Sequence, residues 1–197
     1  MIFLRKYRLE AVLLLALIFM IFGSWMAEFQ HAAETVQKEV LRLHILAASD
    51  DAEDQQLKLA VRDRILKEAA EFNVGESKDS VELQLQKQLP TIVAIAEDEL
   101  RKHNCSDAVT VQLCHDSFST RVYDDFTLPA GEYDALRIII GEGEGKNWWC
   151  VLFPSLCLSS SGADEWLTER ELQILQSSPQ WEPRFAIYEC LRSLKNS

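Results

Sequence analysis

A chain of 197 residues in which 31 acidic side chains face 20 Lys and Arg, for a formal charge of -11, has room for one substantial core but little cationic surface. That balance excludes nucleic acid and anionic membrane surfaces as natural partners and leaves solubility, or docking to a basic patch on another protein, as the roles of its charge. Five cysteines are an odd number, so at most two disulfides can form within the chain.

From the N-terminus, Arg5, Lys6 and Arg8 precede an uninterrupted apolar stretch at residues 11–22, extended more weakly through Trp25, Met26 and Ala27. Cations followed by an apolar run are the layout of an export signal. Cutting after Ala27 would place bulky Trp25 three residues before the cut, and residues 11–27 sit at the lower limit for crossing a bilayer. A cleaved signal sequence and an uncleaved signal anchor both fit, and the positive-inside rule puts everything that follows outside the cytoplasm. Three cations and one anion before residue 28, set against -11 for the whole chain, leave -13 on residues 28–197.

Residues 40–47 (VLRLHILA) alternate Leu41, Leu43 and Ile45 with Arg42, His44 and Leu46, which predicts a strand with one wetter face. Ser49 and Asp50 offer a helix cap, with Asp51, Glu53 and Asp54 in a first turn where anions suit the helix dipole. Leu57, Val61, Ile65, Ala69 and Phe72 recur at helical spacing, and Gly75 is the expected stop. A second helix is predicted over 79–102, with a break at Pro90 left open. Val109, Val111 and Leu113 alternate with polar neighbours as in a half-exposed strand. Residues 135–140 and 148–153 are apolar runs joined by a loop with glycines at 141, 143 and 145, which predicts a β-hairpin buried on both faces. A serine-rich linker at 158–164 and helices over 164–175 and 183–194 complete the reading. The expected fold is α+β: a single domain at 28–197, a largely antiparallel sheet packed with helices, after an N-terminal signal or anchor helix at 1–27.

Chemistry-bearing residues are sparse. His103, Cys105, Cys114 and His115 have the composition of a metal set without paired ligand spacings, so no metal is expected. Cys150 with His44 is a conceivable nucleophile and base, but Cys150 lies between Trp149 and Val151 in an apolar strand where a thiolate is disfavoured. The G-E-G-E-G loop carries glutamates that repel phosphate and precedes a strand, so it reads as a turn. Cys150 and Cys157 flank Pro154, where the strand should reverse, and are the disulfide candidates; Cys105 and Cys114 would be held too far apart along a strand. Trp148 and Trp149 should point to opposite faces, and whichever faces outward, with Tyr133 nearby, is the candidate partner-binding anchor.

The segments LPAGEYDALRIIIGEGEGKNWWCVLFPSLC (128–157), LRLHILAASD (41–50) with the following ED-Q-x-LKL-x-VRD (53–63), and more loosely RFAIYECLRSL (184–194), closely resemble the stage II sporulation protein R family. Ser155 stands where a second proline is usual there, and Ala48 where an asparagine is commoner. The resemblance implies a non-enzymatic, cofactor-free signal made in the forespore and exported into the space between forespore and mother cell. Its implied partner is a membrane-embedded aspartic protease of the mother cell that cleaves pro-sigma-E. An exported hydrolase or thiol enzyme using Cys150 and His44 is the alternative.

Overall fold

The computed structural model describes residues 2–72, 77–122 and 127–153, together with Ile187 and Cys190. The expected stop at Gly75, the turn at Pro154, Cys157, the serine-rich linker and most of the two final helices lie outside these residues.

The first element is one unbroken helix, α1 (Ile2–Glu39), about 57 Å long at 1.5 Å per residue. Its two halves live in different surroundings. Val12 to Phe22 expose large apolar side chains, Phe19 at 73%, whereas Met26, Phe29, Ala32, Ala33 and Val36 are buried. The latter recur three and four residues apart, so they form one stripe along the helix. Ile187 packs against Met26 and Phe29, and Gln37 donates to the Ala130 carbonyl at 3.3 Å. The helix therefore crosses residue 27 without a break and joins the folded part.

After α1 come β1 (Leu41–Leu46), α2 (Ala52–Phe72), α3 (Lys78–Lys102), β2 (Val109–Phe118), β3 (Arg121–Val122), β4 (Thr127–Leu128), β5 (Gly131–Ile140) and β6 (Asn147–Phe153). The main sheet has the order β2-β5-β1-β6, and β3 and β4 form a separate two-stranded ribbon. β2 and β6 run antiparallel to their neighbours, while β1 and β5 are parallel. This is the expected α+β domain, with a mixed sheet.

The predicted hairpin is corrected by this order. β5 and β6 are not neighbours, because β1 lies between them. The two apolar runs and their glycine loop look the same in sequence whether the strands pair or merely flank a third. Six loop residues suffice to cross the roughly 9.5 Å of two strand spacings. The loop uses β1's end as a support: Glu144 and Gly145 donate their N–H groups to the carbonyls of Ala48 and Ala47 at 3.2 and 2.9 Å.

One face of the sheet carries Leu41, Leu43 and Ile45 of β1 and Leu136 and Ile138 of β5, all covered by the apolar stripes of α2 and α3. α3 starts with a reciprocal capping box between Ser77 and Ser80 and continues through Pro90. Pro90 and Gln86 are both exposed, so the carbonyl deprived of its helical donor faces water and the helix need not break.

Candidate functional site

The opposite face of the sheet is where the chain departs most from a plain core. Arg42 and His44 alternate with the apolar residues of β1, and they are buried at 0% and 7% exposure rather than lying on a wetter face. Aromatic rings make this possible. The Arg42 guanidinium sits 4.0 Å from the Phe118 ring centroid and 5.1 Å from that of Tyr133, an arrangement in which the ring quadrupoles favour the cation. His44 contacts the rings of Phe118 and Trp149 at 6.0 and 5.7 Å.

The polar atoms close into a network. Asp116 on β2 meets His44 Nδ1 at 2.5 Å and Arg137 on β5 at 2.7 Å, and His44 Nε2 faces Asn147 Oδ1 at 3.0 Å. Burial alone would raise the Asp116 carboxyl, but hydrogen bonds from Arg137 and His44 outweigh it and hold the group below the usual carboxylate range. The same bond to Asp116 raises the Arg137 guanidinium above its ordinary value. Three strands are thus tied together by one carboxylate, which fixes their register across the face.

The anchors read from sequence fall into different surroundings. Tyr133 is 1% exposed, and its hydroxyl donates to the Pro129 carbonyl at 2.6 Å, so it supports the face from beneath and offers nothing to a partner directly. Trp148 and Trp149 do point to opposite faces. Trp148 pairs with Ile45, packs against the helical core and lies 4.3 Å under the Arg62 guanidinium. Trp149 joins His44 and Phe118, with Arg121 stacked 4.3 Å above it. Both indoles are half-buried.

Cys150 pairs with Leu43 and belongs to the helical core. Since His44 is on the other face, the sheet itself lies between this thiol and that imidazole, and the two cannot act as nucleophile and base. Cys150 is disulfide-bonded; Cys157 lies outside the described residues. Cys105, Cys114 and Cys190 are free. Burial raises the thiols of Cys105 and Cys114, which works against thiolate chemistry at neutral pH. His103 lies beside Glu99 at the end of α3, and His115 bonds Asp134 at 2.6 Å. Among the described residues no group of three or more His, Cys, Asp or Glu could hold a metal ion.

A second cluster was not visible in the sequence. Lys58, 4% exposed, donates to Gln55 Oε1 at 2.6 Å and to the Lys146 carbonyl at 2.8 Å. Lys146 N–H returns to Asp50 Oδ1 at 2.8 Å. The turn after β1, the start of α2 and the glycine loop are therefore one interlocked unit. The segments 41–50, 53–63 and 128–157 all meet there, although residues apart in sequence by 88 give no periodic signal of their contact.

A family model described as Stage II sporulation protein R matches residues 37–163. The chain is also similar to the stage II sporulation protein R of Bacillus subtilis (strain 168), at 38% identity over 137 residues, which is 69% of this chain and 61% of that protein. The match thus spans about three fifths of the relative's own length. No solved structure matches.

Proposed function

The chain belongs to the stage II sporulation protein R family, and on that premise we propose that it is a forespore-made signal, exported across the forespore membrane, that activates the mother-cell membrane aspartic protease cleaving pro-sigma-E. The observation that carries this reading beyond the family is α1. Its first half exposes an apolar surface long enough to cross a membrane, as a signal sequence or an anchor would, and its second half is built into an acidic domain. A domain delivered in this way can act by binding, biasing its partner toward an active conformation or assembly. The thiol-enzyme alternative draws no support from the positions of Cys150 and His44. Co-expression of the protease and pro-sigma-E with and without this protein tests the proposal. The precursor should be shortened only when all three are present, and processing that is indifferent to this protein contradicts the reading.

A further inference from the structure

The order β2-β5-β1-β6 leaves β2 with a single neighbour among the described residues. The hydrogen bond from Gly141 N–H to the Ala108 carbonyl sets the phase of the β2–β5 ladder, whose register holds without a bulge from Val109 to Phe118. Even-numbered residues of β2 therefore bond inward to β5. The backbone groups of Val109, Val111, Leu113, His115 and Ser117 point away from the sheet. Ser117 N–H is occupied by Asp116 Oδ1 at 3.0 Å. Those of Val111, Leu113 and His115 have no hydrogen-bond partner among the described residues. Exposed edges are usually blunted by lysine, proline, a bulge or shortness, and this ten-residue edge has none of these.

Beside the edge runs a groove of about 410 Å³ between β2 and α3. Leu83, 60% exposed, forms part of its wall. Asp79, Glu82 and Asp134 make it acidic. Lys78 and His115 both pair with Asp134, and Lys78 also pairs more loosely with Glu82 at 3.8 Å. Burial first, and then the charge of Asp134, push the Glu82 carboxyl above its usual range against the opposing pull of Lys78.

The geometry points to β2 as a docking edge for an extended segment of a partner protein, added as a fifth strand, with an apolar side chain against Leu83 and a lysine or arginine toward Asp79 and Glu82. Backbone bonds to Val111, Leu113 and His115 supply affinity, and the groove supplies the preference for a basic segment. This rests on the reading of the protein as a ligand for another protein and adds the surface and the chemistry it accepts.

The test uses the full chain in detergent micelles and a fluorescent eight-residue peptide of strand-forming residues with one leucine and two lysines on one face. Its counterpart carries glutamates for the lysines. Anisotropy should show binding of the lysine peptide only. H115P, which removes an outward N–H without breaking the β2–β5 ladder, and D79K should each weaken it about tenfold or more, the equivalent of losing one good bond. H115A, which keeps the N–H, should bind within about threefold of the parent, a change of under 1 kcal/mol. Equal binding of both peptides, no binding of either, or indifference to H115P and D79K overturns the proposal. So does wild-type self-association abolished by H115P, which would assign the edge to a second copy. Should H115P lose its cooperative melt, D79K and L83E, both at exposed positions, decide alone. Binding is read here without the protease, so failure of this assay is separate from failure of the signalling proposal.

Discussion

Asp116 shows how much depends on a single side chain, since it bonds His44 and Arg137 at once. Its carboxyl is held below the ordinary range, so its ionised form contributes stability that is fully present above the unfolded value of about 3.9 and is lost as pH falls from there toward the folded value. D116N should therefore melt lower than the parent at pH 7, by about 1 to 3 kcal/mol for a buried charged bond, and the gap should narrow on acidification below pH 4. Thermal melts of both proteins across pH 7 to 3 check this; a gap that widens on acidification contradicts the assignment. The two tryptophans separate in a different way. Trp148→Ala opens space beneath Arg62 against the helical core and should cost about 2 to 3 kcal/mol, below the 3 to 5 of a fully buried ring. Trp149→Ala removes the ring between His44 and Arg121 and should lose most protease activation while the melt changes less than for Trp148→Ala. Urea titration alongside the precursor-processing assay distinguishes the two. The opposite facing of these residues was legible from strand alternation alone. The burial of Arg42 and His44 was not, because a polar residue on a strand reads as wet until its aromatic cover, here Phe118 and Tyr133 from strands distant in sequence, is in place.

Among the elements, β1 is legible in the sequence as a strand, but not as the strand that lies between β5 and β6. Periodicity reports which segments are strands; it says nothing of which strands pair, and β1 earns its central place through apolar residues on one face and a satisfied polar network on the other. At Pro90 the sequence leaves a break open, since only the proline's position on the exposed side of α3 decides between a break and a tolerated gap. The glycine loop is the element whose geometry is most tightly demanded. Gly143 has a φ of +67°, in the region that L side chains avoid. At Gly145 an added Cβ would lie 2.1 Å from the Ser49 carbonyl oxygen. Gly145→Ala must push the loop off the β1–α2 turn, breaking the bonds to Ala47 and Ala48, and should destabilise the domain by about 3 kcal/mol or more. Lys58→Met, which leaves the Lys146 carbonyl without its buried donor, should cost about 1 to 3 kcal/mol. Chemical denaturation of each variant checks both values, and a Gly145→Ala protein as stable as the parent would contradict the interlocked arrangement.

At the scale of the molecule, the cationic start and apolar run were plain in the sequence, but the reach of α1 into the domain was not. Apolar composition thins at residue 27, which is where composition alone places the end of the segment. The stripe of Met26, Phe29, Ala33 and Val36 that continues the helix was present at helical spacing, hidden by the charged residues between. A helix that presents bare apolar surface before residue 23 and core contacts after residue 25 joins a segment long and apolar enough to cross a membrane to the folded domain in one element. If the domain acts by binding from outside the cytoplasm, as proposed, keeping it inside must silence it. Replacing Leu14 and Leu17 with Arg leaves the core residues of α1 untouched and opposes insertion by about 2.5 to 3.5 kcal/mol per charge at the centre of the span. The measurement is cleavage of pro-sigma-E by the co-expressed protease, with the variant's abundance and cytoplasmic retention established by fractionation. Precursor processing should be lost while the domain accumulates folded in the cytoplasm; undiminished processing by that retained protein would contradict action from outside the cytoplasm.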